Sequence, residues 1–102
     1  MDKYNVIVSQ RAFDMLREHI AFMSNIDKNS ARKVKDKLVK AFRSLEFMPQ
    51  RFPFFNEAYI VPNKYHKMYV EKWYLVLYQI KDNNVYVDYV LDCRQDYSWL
   101  VK

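Results

Sequence analysis

The chain has 102 residues, with 17 Lys and Arg against 12 Asp and Glu, a formal charge of +5 and 51% apolar residues. That length holds one domain, residues 1–102, with a core of its own, and the apolar content together with 18% aromatics excludes an intrinsically disordered chain. The single Cys93 excludes an internal disulfide and a multi-cysteine zinc site. The lack of glycine excludes loops whose backbone amides must approach phosphate, and neither His19 nor His66 stands at metal-ligand spacing, so no metal or cofactor is expected.

Tyr4 to Val8 is β-branched and aromatic and leads into Ser9, a good helix N-cap, so a strand is expected to run into a helix. Ala12, Phe13, Leu16, Ile20 and Met23 then recur at helical spacing, with Arg11, Asp14, Arg17 and Glu18 on the other face. After the polar Asn25–Asn29, Ser30 offers a second cap, and Ala31, Val34, Leu38, Ala41, Phe42 and Leu45 form a cleaner stripe that Pro49 ends. Two amphipathic helices so closely joined predict an antiparallel hairpin.

Pro49 to Pro62 has no clear period and reads as an ordered connection with a short edge strand. Tyr65–Val70, Tyr74–Ile80 and Val85–Leu91 read as strands, and the last two are joined by Lys81-Asp82-Asn83-Asn84, where Asn suits the left-handed conformation of a tight turn. The fold class is therefore α+β: an N-terminal strand, an antiparallel two-helix hairpin, then a three- to four-stranded antiparallel meander with the first strand added beside it. Helices on one face would leave the other face of the sheet partly open. No stretch of about 18 apolar residues suggests a membrane span, and with no secretion signal a reducing cytoplasm is the expected compartment.

Three clusters could carry chemistry. Arg32, Lys33, Lys35, Lys37, Lys40 and Arg43 on the second helix form either a solvated outer face or a strip for a phosphate backbone. Arg51, Lys64, His66, Lys67 and Lys72 alternate with Phe52, Phe54, Phe55, Tyr59, Tyr65, Tyr69, Trp73 and Tyr74, a mixture suited to single-stranded RNA, although about half of these rings must face the helices. After the last strand, Arg94 and Tyr97 could place a cation and a phenol over a phosphodiester, or Arg94 could pair with Asp92 or Asp96 while Tyr97 caps the core.

The run Tyr74-Leu75-Val76-Leu77-Tyr78-Gln79-Ile80, an Asn-containing turn, Val85 to Leu91 and then Cys93-Arg94-Gln95-Asp96-Tyr97 resembles the C-terminal half of RelE/ParE toxins. Tyr4–Ser9 before the helical pair, and Leu45-Glu46-Phe47-Met48-Pro49, resemble the N-terminal half. The resemblance implies a toxin held inactive by a cognate acidic antitoxin. Such a toxin acts either as a ribosome-dependent mRNA endonuclease or as a poison of DNA gyrase. It carries His66 or Lys67 onto a basic position of the central strands, Arg94 onto a later arginine and Tyr97 onto the C-terminal tyrosine. Leu75 stands where RelE-like members place an arginine, and Asp96 where YoeB-like members place a histidine, which weakens the nuclease scheme and leaves the fold untouched.

Cleavage would use the RNA's own 2′-hydroxyl as nucleophile, without a metal. Lys67 and Arg94 would stabilise the phosphorane, His66 or Tyr97 would move protons, and Lys64, Arg51 and Lys72 would hold the nucleic acid. The endonuclease is the first expectation, the gyrase poison the alternative and a non-toxic binding module the third. All three keep the antitoxin as partner, as a segment that folds on binding across the sheet.

Overall fold

A computed structural model describes residues 3–58 and 60–93. The apolar patterns become β1 (Asn5–Val8), α1 (Gln10–Ser24), α2 (Lys28–Ser44), a single 3-10 turn at Pro49–Arg51, β2 (His66–Val70), β3 (Tyr74–Lys81) and β4 (Asn84–Asp92). Ser9 caps α1 as expected, its Oγ accepting from the Ala12 amide at 3.0 Å. The cap of α2 is Asp27, three residues before the expected Ser30. Its carboxylate accepts from the amides of Asn29 and Ser30 and from the Ser30 hydroxyl. These bonds hold its pKa below the usual carboxylate value, because each favours the charged form. α2 ends at Ser44, and Pro49 instead opens the 3-10 turn.

The sheet order is β1-β4-β3-β2, with β1 parallel to β4 and the other pairs antiparallel. The three later strands form the expected antiparallel meander, and the first strand is added beside it as expected; because it runs parallel to β4, the sheet is mixed. In the two-residue turn between β3 and β4 the left-handed residue is Asp82, not an asparagine.

Side chains alternate across the sheet with one slip. Val76, Tyr78, Val85, Val87 and Val90 face the helices and pack with Leu38, Phe42 and Leu45 of the hairpin and its exit. Each such side chain, fully buried, contributes roughly 1.5–3 kcal/mol. Tyr78 is wholly buried, and its hydroxyl donates to the Pro49 carbonyl at 2.7 Å. Burial raises its pKa, so it stays a neutral donor. The slip is a bulge on β4: Leu77 pairs with Tyr89 but Tyr78 pairs with Val87, so Asp88 is the extra residue.

β1 stops opposite Val87, which leaves the carbonyls of the rest of β4 without a strand partner on that side. α1 supplies replacements. Ser9 Oγ and Arg11 Nε donate to Asp88 O, and His19 Nε2 donates to Val90 O at 2.8 Å. At the opposite edge the segment 52–55 lies along β2, with Lys67 N donating to Pro53 O and a bridge between Phe54 and His66.

One expectation is corrected. Phe13, assigned to the buried stripe of the first helix, is 48% exposed; Leu16 and Ala12 take the core positions. The sheet face away from the helices is partly covered, because Phe55 and Tyr65 from the connection before β2 pack with Leu75, Leu77 and Leu91 as a second, smaller core. No described helix is long and apolar enough to cross a membrane.

Candidate functional site on the sheet face away from the helices

The strand period assigns each side chain a side. Lys67 and Tyr69 pair with Leu77 and Leu75, so they share the second face with Gln79, Tyr86, Tyr89 and Leu91. The bulge adds Asp88, whose carboxylate accepts from Gln79 Nε2 at 2.8 Å and from the Tyr65 hydroxyl. The Arg11 guanidinium lies over the Tyr89 ring, 4.0 Å from its centroid, and Tyr65 meets the same ring edge-on at 5.7 Å. One surface therefore joins Arg11, Lys67 and several phenols around a hydrogen-bonded Asp88.

The electrostatics limit what these phenols can do. Burial first, and then the charge and hydrogen bond of Asp88, raise the pKa of Tyr65 well above that of a free tyrosine. A phenol held protonated in this way donates hydrogen bonds and makes a poor general base.

The residues singled out from the sequence fall in four places. Lys67 lies on this face, half-buried, with its ammonium 5.9 Å from the Tyr69 ring centroid. Lys64 stands beside it in the chain order of the same surface, 5.4 Å from the Tyr65 ring.

His66 points to the helix side. Its Nδ1 donates to Phe52 O at 2.7 Å and its ring stacks on Tyr78, with centroids 5.3 Å apart. It is thereby separated from Lys67 by the thickness of the sheet.

Arg51 folds back on the exit of α2, and its Nη1 donates to the carbonyls of Ser44, Phe47 and Met48. Lys72 sits in the β2–β3 turn, facing α2. Arg94, Tyr97 and Asp96 lie outside the described residues.

Arg51 thus acts on the fold as a helix C-terminal cap. Arg51→Ala is expected to cost about 1 kcal/mol, kept to the low end for charged hydrogen bonds because the group is exposed. Tm should fall by about 4–8 °C in a thermal melt. Arg51→Lys should recover little, since an ammonium cannot fork across three carbonyls.

Arg11, Asp88 and Gln79 escaped the sequence reading. Arg11 was placed on the outer face of its helix, and only the end of β1 brings it to Tyr89. Asp88 carried a usable signal, for Val85, Val87 and Val90 share one face although the last interval is three residues.

A family model described as "ParE toxin of type II toxin-antitoxin system, parDE" matches residues 6–97. A chain from the solved structure "Chromosomal ParDE TA system from P. aeruginosa" superposes with a TM-score of 0.71 at 13% identity, covering 88% of this chain and 96% of that one. At that identity the likeness concerns the fold. No curated protein sequence matches the chain.

Proposed function

The chain belongs to the ParE toxin family of type II toxin–antitoxin systems, and we propose that it is a growth-arresting poison of DNA gyrase that acts in the cytoplasm by binding, without cutting RNA. The observation that carries this reading is Leu75. By the resemblance drawn from the sequence it takes the place of an arginine of RelE-like members; it is 2% exposed, and it packs with Phe55 and Tyr65. A phosphate at that point of the sheet would meet hydrocarbon. His66, the side chain best suited to proton transfer near neutrality, is occupied on the other face. The alternative drawn from the sequence is therefore preferred to the endonuclease.

The family implies an antitoxin partner. The surface that suits it is the outer groove of the helical hairpin rather than the sheet. Phe13, Ile20 and Val39 line a trough of about 590 Å³, with Arg17 and Lys35 also on its walls. Val39 also lines a smaller hollow that continues to Val6 and Val8. An amphipathic acidic segment fits such a groove, its apolar side on the trough and its carboxylates on the cations.

The test is to add the purified chain to DNA gyrase and to follow cellular messages during expression. Inhibited supercoiling with intact messages is the expected result. Unaltered supercoiling together with cleaved messages would return the endonuclease to first place, and Lys67→Ala and Arg94→Ala would then identify its centre.

A further inference from the structure

The positive charge of the chain is concentrated on one element. α2 carries seven Lys and Arg and a single acid, Asp36, so the helix alone stands at +6 while the whole chain stands at +5, which leaves the rest of the chain at −1. α1 is balanced by comparison, with Asp14 and Glu18 beside Arg11 and Arg17. An asymmetry of this kind marks a surface for a polyanion.

Neither the core nor the helix itself asks for these cations. Ala31, Leu38 and Phe42 bury one side of α2, and Arg32, Lys33, Asp36, Lys40 and Arg43 are all exposed. At about 3.6 residues per turn those five fall within an arc of about 100°, a strip roughly 16 Å long from Arg32 to Arg43. Asp36 stands four residues from both Arg32 and Lys40, yet among the described residues the one ion pair of the helix joins Lys37 to Glu71 of the β2–β3 turn, at 2.7 Å. The strip is therefore left uncompensated, with like charges one turn apart that repel each other. Lys28, the first helical residue, places a further cation at the positive end of the helix dipole, and no acid stands in the first turn.

We propose that this strip holds the sugar–phosphate backbone of duplex DNA through Arg32, Lys33, Lys40 and Arg43. Each strand of a duplex carries a phosphate every ~3.4 Å of axis, so the strip spans about five of them. An anionic membrane suits it less, because the apolar side that a surface helix must insert is already packed in the core. A single strand would require stacking rings, and the only aromatic residue of α2, Phe42, is buried. The trough assigned to the antitoxin lies on the flank that bears Lys35 and Val39 and shares no side chain with the strip. Contacts to phosphates carry no sequence preference. This goes beyond the gyrase reading and is measured on DNA alone, so either can fail without the other.

The full-length chain is titrated against a labelled duplex of about 20 base pairs, several times the length of the strip, at several salt concentrations, and affinity is read from fluorescence anisotropy. Dissociation constants of about 1–100 μM at physiological salt are expected, with a slope of log K on log salt of about −3.6 for four phosphate contacts. Arg32→Gln, Lys33→Gln, Lys40→Gln and Arg43→Gln should each make the slope shallower by about 0.9. Lys81→Gln, which removes an exposed cation from the sheet, should leave it nearly unchanged. Asp36→Lys should steepen it by about 0.9 and tighten binding, a gain that damage to the fold cannot produce. Thermal melts of these surface variants should match the parent.

Competition decides the ligand. Polyglutamate of equal charge, phosphatidylserine vesicles and a single strand of equal length should each displace the duplex poorly. Equal or better competition by any of them overturns the proposal, as do equal slopes for Lys81→Gln and the strip variants.

Discussion

Leu75→Arg is expected to destabilise the protein strongly rather than to create a nuclease. The substitution introduces the arginine that the resemblance to RelE-like toxins implies at this position, but the side chain would enter the cluster of Phe55, Tyr65, Leu77 and Leu91. A buried, unpaired guanidinium costs several kcal/mol even after relaxation. Domains of this size have about 5–15 kcal/mol of stability in all. The urea midpoint should therefore fall by more than about 1 M, given slopes of roughly 1–3 kcal/mol/M. Leu75→Met, which conserves volume, should cost less than about 1.5 kcal/mol. A Leu75→Arg chain that melts like the parent and cleaves RNA would mean that the second face opens readily, and the gyrase reading would lose its main support.

Phe13→Glu should release the toxin from its antitoxin while leaving the fold intact. Phe13 is 48% exposed, so the chain loses little core by the change. In the proposed complex the ring would be an aromatic anchor in the trough beside Ile20 and Val39. Truncating such an anchor commonly costs 2 kcal/mol or more, about 30-fold in affinity, and a carboxylate facing an acidic partner adds repulsion. Coexpressed antitoxin should then fail to rescue growth, and calorimetry should show the lost affinity with an unchanged melting profile of the free toxin. Full rescue at wild-type affinity would place the antitoxin elsewhere.

Much of this architecture could be read from residue types and spacings. The stripe from Ala31 to Leu45 and the three late strands have strong periods, because burial on one side selects the side chains regardless of their partners. Ser9 is legible for the same local reason, since a cap serves the amides next to it. Asp27 was overlooked for Ser30 because either suits the position, and here the Ser30 amide and hydroxyl both donate to the Asp27 carboxylate.

The site was harder to read. His66 and Lys67 are consecutive in a strand, so the two-residue period already sends them to opposite faces. Treating both as one basic cluster ignored that. Arg51 and Lys72 share the charge of Lys67 but not its place, and composition cannot distinguish a cation that caps α2 from one that meets a ligand. The cover over Leu75 comes from a connection without any period, whose path depends on contacts distant in sequence.

The pairing of β1 with β4 has a consequence for how the toxin is born. Asn5 meets Asn84 across 79 positions of chain, so the earliest strand has to wait for the last hairpin to be synthesised. Until then the helical hairpin has no complete sheet to rest on, and such distant closure slows folding. A chain cut short before β4 would therefore leave β1 without the strand it pairs with and the helical hairpin with only part of its sheet.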